Sequence, residues 1–278
     1  MQPLSLAISP CPNDTFVFHA LVHGLVPDAP PVKVTYADVD VTNNAAERGV
    51  YDLVKVSYAA LPWLLGRYDL LPAGGALGRG CGPLVLVRDP AATPSLAGRR
   101  VAVPGDRTTA YLLMRLWAAD GPPAKVVIVP FHEIMAAVAA GRYDAGLVIH
   151  EARFTFERYG LHALADLGDW WETQTGLPIP LGAILAKRGA VDPCEATGWI
   201  RDSVRMAWAD PDATQEYVLA HAAEMEPRVA SQHIELYVNG FTKDLGDTGY
   251  AAVEELLRRA ADAGLTPPVD RPLRLVNR

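Results

Sequence analysis

His150 closes an apolar run, Ala145-Gly146-Leu147-Val148-Ile149, and is followed by Glu151 and then Arg153. An unperturbed imidazole ionises at about 6.5, so at a strand end it can accept a proton from carbon or oxygen near neutral pH. A lone histidine is more often a satisfied structural residue; its place beyond an apolar strand favours proton transfer here. Lys55 and Ser57 close another apolar run, and Thr108-Thr109-Ala110 follows Pro104-Gly105 at a helix start. Helix N-terminal amides and hydroxyl donors suit a carboxylate site, to which a cation can be added. Together these groups predict capture of a small anionic molecule beside a proton acceptor. The competing reading makes Thr108 and Ser57 plain helix caps. Glu151 is the candidate to orient the imidazole, although neighbouring side chains on a strand point to opposite faces. Ser9, Asn13, Asn43 and Arg153 are further candidate contacts.

Other reactive residue types carry weaker signals. His19 and His23 are four apart, as paired metal ligands are, but Ala20 stands where a zinc protease needs glutamate, so an ordinary helix face is expected. No metal site is predicted. Cys11, Cys81 and Cys194 have neither disulfide nor metal-ligand spacing. Cys11 precedes a helix, but without a fixed base beside it a structural role is expected. Gly74, Gly75, Gly78, Gly80 and Gly82 form no phosphate loop, since no strand is expected to lead into them and no Gly-Lys-Ser/Thr closes them. Trp170, Trp171, Phe154 and Phe156 offer flat surface to an aromatic ligand, with core packing expected for at least half of them.

The elements that position these groups come from one phrase written twice: Gly49-Val50-Tyr51-Asp52 before Leu53 to Ser57, and Gly141-Arg142-Tyr143-Asp144 before Ala145 to His150. Each copy stops a helical run and starts an apolar strand. Each half also opens strand, loop, helix. Leu4 to Ile8 leads into a helix over Thr15 to His23 capped by Asn13 or Asp14, and Arg100 to Val103 leads into a helix over Ala110 to Ala118. Leu84 to Val87 and Leu181 to Ala186 read as paired crossing strands. The expected architecture is therefore α/β, a two-lobed type II periplasmic-binding-protein-like fold with a cleft between lobes. Residues 1–86 and 187–278 form a discontinuous first lobe, and 87–186 the second. Ligands of open parallel sheets bind beyond the carboxyl ends of the strands. The C-terminal third reads as helical packing. Val253, Leu256, Leu257, Ala260 and Ala261 form its stripe, Glu254/Arg258 and Glu255/Arg259 make charge pairs on the wet side, and an extended tail follows Thr266.

The chain has 278 residues, 50% of them hydrophobic, enough to fill two cores. A net charge of -7 argues against nucleic acid or an anionic membrane as partner. No segment reads as a membrane span and the start lacks the features of a signal peptide, so a cytoplasmic location is expected.

Four segments carry a family resemblance: Ser9-Pro10-Cys11-Pro12-Asn13-Asp14-Thr15-Phe16, Pro104-Gly105 with Thr108-Thr109-Ala110, His150-Glu151-Ala152-Arg153-Phe154-Thr155, and Asp166-Leu167-Gly168-Asp169-Trp170-Trp171-Glu172. Together they closely resemble the 1,4-dihydroxy-6-naphthoate synthases of the futalosine route to menaquinone, from Leu4 to about Leu185. The resemblance implies a two-lobed lyase without metal or organic cofactor. It implies conversion of cyclic dehypoxanthinylfutalosine to 1,4-dihydroxy-6-naphthoate with release of dihydroxyacetone. The general base falls on His150, and the substrate-binding segments fall on Lys55-Val56-Ser57 and Thr108-Thr109. A chorismate dehydratase of the same pathway and a non-enzymatic solute-binding protein share the expected fold. The first has different signatures at the Ser9 to Phe16 and Trp170-Trp171 segments; for the second, arginine would be the expected carboxylate ligand where His150 stands.

Overall fold

A computed structural model describes residues 3–222 and 226–275. The chain divides into two compact units, Met1–Gly78 with Pro180–Arg278, and Arg79–Ile179. The first unit begins with β1 (Leu4–Ile8), α1 (Pro12–Val22), β2 (Val32–Tyr36), α2 (Val39–Glu47), β3 (Leu53–Ser57), α3 (Leu61–Leu64) and β4 (Tyr68–Gly78). The second contains β5 (Leu84–Val87), β6 (Arg100–Val103), α4 (Thr109–Trp117), β7 (Lys125–Ile128), α5 (Ile134–Ala139), β8 (Ala145–Val148), α6 (Ala152–Thr155), β9 (His162–Asp166) and α7 (Leu167–Thr175). The return segment supplies β10 (Ile179–Lys187), α8 (Pro193–Ala209), α9 (Asp212–His221), α10 (Pro227–Tyr237), α11 (Gly240–Lys243) and α12 (Gly246–Asp262). No helix among the described residues is long and apolar enough to cross a membrane.

The two sheets follow one plan, β2-β1-β3-β10-β4 and β7-β6-β8-β5-β9. In each, one strand, β1 or β6, pairs in parallel with both neighbours, and the strand by which the chain enters the sheet, β10 or β5, pairs antiparallel with β3 or β8. Strand β5 pairs with β8 and β9, while β10 pairs with β3. Each crossing strand thus belongs to the sheet the chain is entering, and the switches fall at 78/79 and 179/180 rather than at 86/87 and 186/187.

The doubled phrase is a helix stop followed by a strand clamp. Gly49 and Gly141 have φ of 70° and 74°, the left-handed conformation that glycine adopts without a Cβ penalty. The amides of Gly49 and Val50 return to the carbonyls of Ala46 and Ala45, and those of Gly141 and Arg142 to Val138 and Ala137. The aspartate then ties its strand to the sheet's first strand. Asp52 accepts from the Ser5 amide and hydroxyl at 2.9 and 2.7 Å, and Asp144 accepts from the Arg100 amide at 2.8 Å. Sequence repetition here records identical strand placement.

Helix α1 is buried on nearly every side, packing against α8, α9 and α10. Beyond its polar first turn its apolar residues lie in the core, where Phe16, Val17, Phe18 and Leu21 join Leu6, Ile8, Ile184 and Ile200. In the second unit Leu84, Leu86, Ile134, Val138 and Val148 form the corresponding cluster.

Several elements differ from the sequence expectation. Helix α1 starts at Pro12 with Cys11 in the N-cap position, so Asn13 and Asp14 lie in its first turn and cap nothing. Proline is favoured at the first helical position because its missing N–H is not needed there. Strand β4 runs through Gly74, Gly75 and Gly78, so a strand does enter the glycine-rich segment. On α12, Arg258 pairs with Glu255 and Asp262 instead of Glu254, while Arg259 pairs with Glu255 as expected.

Candidate functional site

Each unit gathers a polar set at its strand ends. In the first, the hub is Asp14, which sequence reasoning treated only as a cap. One carboxylate oxygen accepts from the Ser9 amide and hydroxyl at 3.2 and 2.9 Å; the other accepts from Asn13 Nδ2 at 2.8 Å and Lys55 Nζ at 2.5 Å. Lys55 also approaches the Gly74 carbonyl at 3.4 Å. Lys55 and Asp14 are 6% and 1% exposed, so each ion needs the other to offset its desolvation. The lysine therefore contributes a proton donor inside a neutral pair, where the sequence suggested an open cation. Its stem crosses β10 at Gly182, where a Cβ would lie 2.7 Å from Lys55 Cε.

Ser57 is held by Asn43. The Asn43 carbonyl accepts from the Ser57 amide at 2.8 Å, and its Nδ2 donates to the Ser57 hydroxyl at 3.2 Å. Ser57 stands in the N-cap position of a short turn without making a side-chain cap bond, so the cap reading fails for it. With Asn43 filling an acceptor role on Oγ, the Ser57 proton is oriented to donate. Val56, between the two polar residues, is fully buried in β3.

In the second unit, β8 ends at Val148 and His150 lies in a turn with φ of 55°. A non-glycine residue in this region carries strain and is uncommon outside sites that impose it. The ring is half-buried and meets Phe131 edge-on, with centroids 5.4 Å apart. Because His150 has left the strand, alternation no longer separates it from Glu151: a ring nitrogen and a carboxylate oxygen lie within 4.8 Å. Glu151 is 7% exposed, and its Oε2 has no hydrogen-bond partner among the described residues. A buried unsatisfied carboxylate oxygen is costly and marks a place for a donor.

Thr108 realises the cap reading. Its hydroxyl accepts from the Tyr111 amide at 3.2 Å and donates to the Gly105 carbonyl at 3.0 Å. What this end of α4 offers an anion is its dipole and first-turn amides, with Thr109 as the opening residue. Arg153 anchors the His150 turn: it donates to the Gly82 carbonyl at 2.8 Å and to Asp166 at 2.6 Å, and the other Asp166 oxygen caps α7 through the amides of Gly168 and Asp169. Gly82 is required there, since a Cβ would fall 2.1 Å from the Gly168 nitrogen. Trp171 is fully buried and donates to the Pro178 carbonyl, so it is core.

His19 and His23 sit with ring centroids 4.4 Å apart beside Tyr217, and His23 Nδ1 donates to the His19 carbonyl. Burial and the neighbouring His23 lower the His19 pKa. Among the described residues, neither unit by itself brings three His, Cys, Asp or Glu side chains to metal-ligand spacing. Cys11, Cys81 and Cys194 form no disulfide among the described residues, and burial pushes the Cys81 thiol up to about 12.

Comparison with known proteins identifies the family and the fold. A family model described as menaquinone biosynthesis matches residues 4–262. A 1,4-dihydroxy-6-naphthoate synthase of Streptomyces coelicolor is 61% identical over 269 residues, 95% of either chain. One from Thermus thermophilus is 47% identical and covers 98% of this chain and 99% of its own. Among solved structures, a protein of Archaeoglobus fulgidus superimposes with a TM-score of 0.88 at 33% identity, covering 95% of this chain and 98% of that one. The alkanesulfonate-binding protein SsuA of Xanthomonas axonopodis pv. citri, bound to MOPS, gives 0.70 at 18% identity, covering 95% and 94%. That last likeness concerns the fold, which is periplasmic-binding-protein-like.

Proposed function

This chain belongs to the menaquinone-biosynthesis family, among the 1,4-dihydroxy-6-naphthoate synthases, and from that premise we propose that it is a cytoplasmic carbon–carbon lyase. Its substrate is cyclic dehypoxanthinylfutalosine, which it converts to 1,4-dihydroxy-6-naphthoate with release of dihydroxyacetone. The observation that carries this proposal is the His150 turn: a half-buried imidazole on a left-handed backbone position just past the end of β8, beside a buried carboxylate.

His150 removes a proton from the bound substrate, the electron pair left behind drives cleavage of the carbon–carbon bond to the sugar fragment, and aromatisation of the second ring makes the step downhill. Glu151 stabilises the imidazolium formed in that step. The donors Ser57 and Lys55 hold polar groups of the substrate, with the backbone at Val56 between them. Thr109 and the first-turn amides of α4 receive its carboxylate, while Thr108 keeps their helix end in place. The neutral Lys55–Asp14 pair gives this site directional donors, suited to a hydroxylated ring, with little excess charge.

The proposal is tested by incubating the purified protein with cyclic dehypoxanthinylfutalosine and, separately, with chorismate, and identifying products by mass spectrometry. Formation of 1,4-dihydroxy-6-naphthoate from the first substrate alone is expected. Consumption of chorismate would assign a dehydratase, and consumption of neither would favour a binding protein.

A further inference from the structure

Helix α10 belongs to the part of the chain that reads as packing, yet one of its residues ends in the polar set of the first unit. His233 is fully buried, and its Nε2 lies 3.0 Å from Asn13 Oδ1. That carbonyl oxygen can only accept, so Nε2 carries a proton and donates. The opposite end of the same amide, Nδ2, donates to Asp14 at 2.8 Å, and Asp14 in turn receives Lys55 Nζ at 2.5 Å. The Asp14 carboxylate fixes which end of the Asn13 amide is the nitrogen, and the protonated nitrogen of His233 follows from it. Turning the amide by 180° would set Oδ1 against a carboxylate oxygen, a repulsive contact in a buried place.

We propose that His233 is a positioning residue for substrate binding: it fixes the Asn13 amide, which orients the Asp14 carboxylate and thereby aims the Lys55 ammonium. This rests on the proposal that Lys55 contacts the substrate. The His233 ring also meets the Tyr237 ring in a tilted contact, with centroids 4.5 Å apart and an interplanar angle of 37°. A histidine placed only to fill space would not need its donor matched to the acceptor end of Asn13. A neutral side chain of similar reach with an N–H at the same place should therefore replace it, and an apolar one of similar volume should not.

The experiment compares His233→Leu, His233→Gln and Asn13→Ala in steady-state turnover of cyclic dehypoxanthinylfutalosine, with thermal melting alongside. His233→Leu is expected to raise KM about tenfold with kcat within about threefold, the loss of one buried hydrogen bond being worth roughly that factor. His233→Gln should bring KM back to within about threefold of wild type, and the Leu variant combined with Asn13→Ala should be no worse than either alone. A lowered melting temperature with unchanged KM, a Gln variant as impaired as Leu, or additive losses would overturn the proposal. Should the Leu variant fail to fold, Asn13→Ala alone must reproduce the tenfold rise in KM. Ring nitrogen NMR of the substrate-free protein separates this from the assignment of the reaction. An Nε2-protonated His233 whose signal moves on Lys55→Met is expected whether or not that substrate is turned over, and an Nδ1-protonated ring or no response would overturn the positioning role.

Discussion

Replacing Asp14 by asparagine removes the anion from a buried pair while nearly preserving its shape. The Lys55 ammonium, 6% exposed, would then lie in the core with no counter-charge, and the Ser9 hydroxyl and Asn13 amide would lose their charged acceptor. Removing one partner of a buried ion pair costs about 3–5 kcal/mol. At about 2–4 °C per kcal/mol for a chain of this class, the melting temperature should fall by about 6–20 °C. Urea unfolding followed by circular dichroism gives the free-energy change directly. The paired variant Asp14→Leu with Lys55→Met leaves no buried charge, and at least half of the lost stability should return. A single variant within about 1 kcal/mol of wild type, or a double variant no better than the single, would refute the view that Lys55 is committed to Asp14.

Three further outcomes follow from the same geometry. Gly182→Ala forces a Cβ against Lys55 Cε, 2.7 Å away, while Nζ is tethered to Asp14; a loss of about 1–3 kcal/mol and a raised KM are expected, and wild-type values in both would show that the stem is free to move. Asp52→Ala should cost about 2 kcal/mol and Asp144→Ala about 1 kcal/mol in urea unfolding, because Asp52 holds two donors of Ser5 and Asp144 a single amide at exposed Arg100; the reverse order would contradict the clamp. Hydrogen bonds from Arg258, ahead of those from Arg259, hold the Glu255 carboxyl at about 2, below its ordinary 4.5. Its stabilising effect is complete above about 4.5 and is lost as pH falls toward 2. Glu255→Gln should lower the melting temperature by about 1–2 °C at pH 7, a difference that disappears near pH 2.

Much of this fold is legible in the sequence because its central strands are buried on both faces and written as short apolar runs. The repeated Gly-X-Tyr-Asp phrase locates β3 and β8 because a left-handed glycine and a strand-clamping aspartate are local requirements. Strand β4 is hidden because Pro72 and the glycines from Gly74 to Gly78 read as a loop. There, Gly74 has φ of 81° and a Cβ would meet Ile184 at 2.9 Å, so glycine answers a packing demand set by residues more than a hundred positions away. The start of α1 is missed for a local reason, since a proline that ends helices elsewhere opens one here. The strand-end polar residues are visible as types, but their commitments are not. Nothing near Lys55 announces Asp14, and nothing on α10 announces that His233 reaches Asn13. Glu151 is judged to point away only while His150 is placed on the strand; the positive φ reverses that.

The role of His150 is tested most directly by single-turnover kinetics of His150→Asn with cyclic dehypoxanthinylfutalosine, alongside equilibrium binding of the same substrate. The expected result is a chemical step slowed by about two to four orders of magnitude with Kd within about threefold of wild type. Turnover at the wild-type rate, or a loss confined to binding, would contradict the assignment of His150 as the base.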